Sequence, residues 1–118
     1  MTERMTPQQF LKATRASANR SAAHSDLLKA AADYLQIQGW SVFSLPASPY
    51  GRNGMPDKVA IKNGRHVWLE GKTGKAQLSQ HQRERHAELE MAGAQVVVFR
   101  SVEDLYVLGD ERQMGVVR

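Results

Sequence analysis

Asn63-Gly64 separates two extended runs, Lys58 to Lys62 and Arg65 to Lys72, and no other feature of the sequence narrows the fold as much. An Asn-Gly pair between strand-like segments favours a two-residue turn whose central residues both take positive φ, and the twist of that turn matches the strands it joins. Without a bulge, Lys62 pairs with Arg65, and counting outward sets Ala60 opposite Val67 and Asp57 opposite Glu70. Side chains alternate with period two, so Asp57, Val59 and Ile61 share a face with His66, Trp68, Glu70 and Lys72.

This register brings two acids together. Directly opposed side chains have Cβ atoms roughly 4.5–5.5 Å apart, and like charges so placed destabilise the pair unless something neutralises them. A divalent cation does so. Magnesium takes oxygen ligands in an octahedral shell, keeps several waters, and needs only one or two protein carboxylates beside substrate phosphate oxygens. Asp57 and Glu70 meet that requirement, the Gly71 carbonyl adds a third oxygen, and Lys72 orients or activates the attacking water and offsets charge on the phosphate. The pattern therefore predicts a metal-dependent phosphodiester hydrolase, a nuclease. A blander alternative makes Asp57 a turn residue after Pro56, and Glu70 and Lys72 a solvent-facing pair. The coincidence of Pro56-Asp57, the hairpin register and the shared face favours the site.

A chain of 118 residues has room for one core. Thr6-Pro7-Gln8-Gln9 carries the signals of a helix start, and that helix is expected to fade near Asn19 to Ala23. Residues 1–25 thus read as a basic N-terminal helical extension, either an arm that contacts DNA or a partner subunit, or a solvated tail. A core domain then spans 26–108. It begins with a helix from Asp26 to Gln38, whose Leu27, Leu28, Ala31, Tyr34 and Leu35 recur at helical spacing and which Gly39 stops. Trp40 to Leu45 reads as a strand and 46–55 as a loop. Ser79 and Gln82 form a capping box for a helix to about Ala92, Gln95 to Arg100 is a strand, Ser101 caps a short helix through Leu108, and 109–118 is a tail. Helix, three strands, helix, strand, helix is an α+β order.

Sixteen Lys and Arg against twelve Asp and Glu give a net charge of +4 and a pI near 9.7, which favours a polyanionic partner. Arg52, on the loop leading into Pro56-Asp57, is a candidate DNA contact. So are Thr73 and Lys75, placed to bring hydroxyl and ammonium donors to a phosphate backbone, and Arg83, which with Arg85 and His81 makes one helix side basic. His81 and His86 read as surface residues or DNA contacts, and Trp68 as core rather than a base-stacking platform. The absence of cysteine rules out disulfides and thiolate chemistry. No apolar run long enough for a signal peptide or membrane span is present, so a soluble cytoplasmic protein with no membrane partner is expected.

Gly54-Met55-Pro56-Asp57, Trp68-Leu69-Glu70-Gly71-Lys72-Thr73-Gly74 and Leu78-Ser79-Gln80-His81-Gln82 together resemble the virus-type replication-repair nuclease (VRR-NUC) domain of the PD-(D/E)xK nuclease superfamily. The resemblance runs from about Asp26 to Leu105. It implies a restriction-endonuclease-like core, a mixed central sheet of about four strands flanked by helices, with Mg2+ or Mn2+ as cofactor. It also implies a structure-specific endonuclease acting as a homodimer on branched or Holliday-junction-like DNA, in a bacterial or phage-infected cell and in a DNA-repair setting. Gln82 matches a glutamine that faces the active site in that family and helps position water or phosphate. The family's first core helix often carries a metal-binding glutamate; the nearby residues here are His24, Ser25, Asp26 and Lys29, with Asp26 the best substitute. Two other classes remain open: a catalytically weak DNA-binding module with a nuclease-like fold, and a regulatory protein that uses the fold for protein contacts.

Overall fold

The computed structural model describes the backbone of residues 7–45 and 53–109, and their side chains apart from 9–21 and 109. The loop residues 46–52, Arg52 among them, and the 110–118 part of the expected tail lie outside the described residues.

One helix, α1, runs unbroken over Pro7–Ile37. The expected fade near Asn19 to Ala23 is corrected: no Gly or Pro interrupts the stretch after Pro7, and the alanines around its middle are among the best helix formers. Polar side chains such as Asn19 and Ser21 weaken a helix by only tenths of a kcal/mol and do not end one. The stop at Gly39 holds. Its φ is +94°, the left-handed conformation that glycine adopts at a helix C-terminus, and Trp40 N–H donates to Leu35 O at 2.9 Å just beyond it.

Strands β1 (Ser41–Ser44), β2 (Lys58–Lys62), β3 (Arg65–Gly71) and β4 (Gln95–Phe99), with helix α2 (Gln80–Met91) between β3 and β4, build a four-stranded sheet ordered β1-β2-β3-β4. The first three are antiparallel and β4 runs parallel to β3, so the sheet is mixed. The turn has φ of 52° at Asn63 and 77° at Gly64, the positive values that such a hairpin requires. Lys62 pairs with Arg65 and Ala60 with Val67, and the ladder ends at Lys58 with Leu69. Asp57 lies just past that end, where its N–H donates to Leu69 O at 2.9 Å, so it leaves the sheet beside Glu70 rather than as a regular pair.

One sheet face carries the core. Ala60, Val67, Leu69 and Phe99 are buried with Ala31, Leu35 and Trp40, and with Leu105 and Leu108 from the short 3-10 turn Val102–Leu105 and the final turn α3 (Tyr106–Gly109). Each of these larger side chains contributes roughly 1.5–3 kcal/mol by leaving water. The opposite face meets α2, whose one buried residue is His86. α2 is thus positioned by polar contacts to the sheet, not by an apolar stripe. No helix among the described residues is long and apolar enough to cross a membrane.

Candidate active site

Three elements converge at the C-terminal end of β3. The strand exposes alternate sides, so Leu69 and Gly71 face α1 while Glu70 faces α2. A Cβ on Gly71 would lie 2.9 Å from a Leu28 methyl and 3.2 Å from the Phe99 ring. Glycine there lets α1 come up against the strand end.

Asp57 caps that end. Its Oδ2 accepts from Gly71 N–H at 2.8 Å, which fixes the carboxylate across from Glu70, and Leu45 N–H donates to Asp57 O at 2.9 Å. Pro56 is buried before it. Gly54, with φ of +86°, packs so closely on the start of α2 that a Cβ would collide with the His81 carbonyl. Gly54 is therefore held against α2 by backbone contact, and Asp57 follows three residues on.

Glu70 is 1% exposed. Burial, then the neighbouring Asp57 charge and a hydrogen bond to the Asp57 carboxyl, push its pKa from 4.5 up to about 8, against the opposing pull of Lys72. Its Oε1 lies 3.2 Å from His86 Nε2, and its Oε2 accepts from Gln82 Nε2 at 3.4 Å. His86 is itself 6% exposed, and burial before all else lowers its pKa, so it faces Glu70 as a neutral imidazole. Lys72 acts electrostatically on both Glu70 and His86, and its backbone N–H donates to Phe99 O at 2.9 Å.

The structure thus brings Asp57, Glu70, Gly71, Lys72 and Gln82 together. Gln82 serves the capping box and the site at once: its Oε1 accepts from Ser79 N–H at 2.9 Å while its Nε2 reaches Glu70. Asp26 is not brought in. It is exposed, and the α1 residue beside Asp57 is His24, whose Nε2 lies 3.4 Å from Asp57 Oδ2 and 3.2 Å from Gly71 O. Two residues along a helix turn the side chain by about 200°, so only one of them can face the sheet.

His86 is corrected from a surface residue to a buried partner of Glu70. The signal was available: it stands four residues after Gln82, one turn along the same face of α2. The basic side expected on that helix is corrected as well. Arg85 is turned into ion pairs with Glu88 at 2.6 Å and Glu84 at 3.6 Å, because the helix alternates acids with its bases. Arg83 is exposed and donates to Leu78 O at 2.7 Å, bracing the helix entrance. Thr73 O accepts from Ala76 N–H at 3.1 Å in the connector after β3, Lys75 is exposed on it, and Arg100 clamps it through Gly74 O at 3.0 Å and Ala76 O at 2.7 Å. Arg100→Ala is expected to cost roughly 0.5–1.5 kcal/mol and to speed amide exchange in residues 73–77 selectively, as hydrogen-exchange mass spectrometry would show.

The donors suit a hard cation. Two carboxylates and a backbone carbonyl are oxygen ligands of the kind magnesium and manganese take, and two acids set side by side, Glu70 buried and Asp57 tied to the Gly71 N–H, repel each other unless positive charge lies between them. Two carboxylates and one carbonyl leave part of an octahedral shell to water and substrate, as magnesium sites commonly do.

Comparison with solved structures places this arrangement. The chain superposes on a structure described as a VRR_NUC domain with a TM-score of 0.63 and 27% identity, covering 71% of this chain and 94% of that one. It also superposes on Hjc, a Holliday junction resolvase from the archaeal hyperthermophile Archaeoglobus fulgidus, with a TM-score of 0.53 and 18% identity over 65% of this chain and 67% of that one. No family sequence model matches the chain, and no curated protein matches it by sequence. The fold is a VRR-NUC-like nuclease fold.

Proposed function

We propose that the protein is a metal-dependent DNA endonuclease that hydrolyses phosphodiester bonds in branched or Holliday-junction-like DNA. The observation that carries this reading is the buried Glu70 held against Asp57, with Lys72 acting on the same pocket. The fold it shares with a VRR_NUC domain and with a resolvase supports the choice of substrate.

In this reading Asp57, Glu70 and the Gly71 carbonyl would hold Mg2+ or Mn2+, which would supply Lewis-acid polarisation of the scissile phosphate. Lys72 orients the attacking water and offsets charge developing on the phosphate oxygens. Gln82 and His86 keep the Glu70 carboxyl oriented. Thr73, Lys75, Arg83 and Arg52 contact the DNA backbone, positioning the duplex arms without reading sequence. A homodimer would place two such sites on the two strands of a junction.

The test is nicking of synthetic four-way junctions, flaps and linear duplexes in Mg2+ or Mn2+. Wild-type protein is expected to nick the branched substrates, and Asp57→Ala and Lys72→Ala each to slow the reaction by about 10²–10⁴-fold while leaving junction binding in place. One observation favours a second reading: α1 offers His24 rather than an acid beside Asp57, leaving two carboxylates. A DNA-binding module of low catalytic power would bind the junction, leave every substrate intact in both metals, and bind equally well as Asp57→Ala.

A further inference from the structure

We infer that His24 is a nitrogen ligand of the site's metal and biases the site toward manganese and the later divalent ions over magnesium, an inference that rests on the metal-dependent reading above.

The position of His24 is dictated by packing. Leu27 and Leu28, three and four residues on, are partly buried against the core and bracket the place where a Gly71 side chain would stand. His24 therefore lies one turn earlier on the face of α1 that meets the end of β3. Its Nε2 sits 3.2 Å from Gly71 O and 3.4 Å from Asp57 Oδ2, and these are two of the three oxygens proposed to hold the ion.

Nε2 thus faces two oxygens at once, with its hydrogen bond to Gly71 O at the long end of the usual range, and a cation among the three atoms would take the place of that bond. With metal–ligand bonds of about 2.0–2.2 Å, adjacent ligands on an octahedron lie roughly 2.8–3.1 Å apart, and both distances from Nε2 come within a few tenths of an ångström of that spacing. The imidazole is also reachable from solvent, its side chain being 38% exposed, so an ion can approach Nε2 from that side.

The consequence is selectivity. Carboxylate, carbonyl and water oxygens suit magnesium, whereas an imidazole nitrogen raises affinity along the order from manganese toward cobalt and zinc. One nitrogen among oxygens moves the balance without closing the site.

Mn2+ binding to the full chain, followed by electron paramagnetic resonance, separates this inference from the reading beneath it. Bound Mn2+ is expected to show nitrogen modulation in pulsed spectra, altered by ¹⁵N-histidine labelling, kept in His86→Gln and lost in His24→Gln. His24→Glu is expected to lower the ratio of Mn2+ to Mg2+ affinity by about tenfold or more, since even indirect partners of a metal ligand are worth about 10–100-fold. Bound Mn2+ without histidine modulation in the wild-type protein, or an affinity ratio unchanged in His24→Glu, overturns the ligand role and leaves the metal site standing. Failure of the wild-type protein to bind Mn2+ overturns both. The labelled wild-type measurement decides the matter even if a His24 variant does not fold.

Discussion

Glu70→Gln is expected to make the protein more stable above neutral pH while removing its nicking activity. In the folded chain the Glu70 pKa is raised to about 8 from 4.5, chiefly by burial and then by Asp57. A raised acid favours folding fully below its unfolded pKa, and that contribution is lost as pH climbs through the folded value. Wild-type stability should therefore decline between about pH 5 and pH 8.5. Glutamine keeps the shape and the contact with Gln82 without ever acquiring a charge, so the variant lacks this decline. The gap between the two should widen with pH to roughly 1–3 kcal/mol at pH 9, a difference of about 5–10 °C in melting temperature. Millimolar Mg2+ or Mn2+ should close it by stabilising only the wild-type protein. Thermal melts of both proteins from pH 5 to pH 9, with and without metal, check every part; a gap that does not depend on pH would contradict the assignment of Glu70 as the strained acid.

The second large effect is expected at Gly54→Ala. The added methyl meets the backbone of α2 at His81 O and, 2.7 Å away, at Gln82 N, and its φ of +86° is strained for any residue with a Cβ. Neither contact is with a flexible side chain, so relief requires moving the loop or the helix. Backbone strain and overpacking together should cost about 2–4 kcal/mol. Because Pro56 and Asp57 stand only two and three residues on, the displacement should also weaken metal binding, which a melt and a Mn2+ titration on the same sample would register. By contrast, Gly64→Ala meets nothing within 4 Å and should cost only the strain of its positive φ, about 1 kcal/mol or a little more.

The sequence reading succeeded where chemistry is local. Asn63-Gly64 specifies its turn by the φ values that only such residues take easily, and with the turn came the register as far as Lys58 with Leu69, which brings Asp57 beside Glu70 though past the end of the ladder. Ser79 and Gln82 marked the start of α2 for the same reason. What stayed hidden depends on rotation about a helix. Choosing between His24 and Asp26 needs the phase of α1 against the sheet, which follows from Leu28 seating over Gly71. His86 was obscured because α2 lacks an apolar stripe, which leaves its spacing of four from Gln82 as the mark of the inward side. The bases of α2 misled for a related reason: a linear count of arginines does not say that Glu84 and Glu88 stand one turn away from or beside them.

Gln82 imposes a restriction that reaches beyond this molecule. A capping box is ordinarily indifferent between glutamate and glutamine at its third position, so relatives sharing only the helix could drift freely between the two. Here the amide nitrogen of the same side chain faces the Glu70 carboxyl, and glutamate would set a third acid into a cleft that already strains to hold two. The one-letter difference between S-x-x-E and S-x-x-Q thus separates a helix that merely begins from one that begins at a working carboxylate, a distinction that can be looked for in any chain carrying an E-x-K strand just upstream.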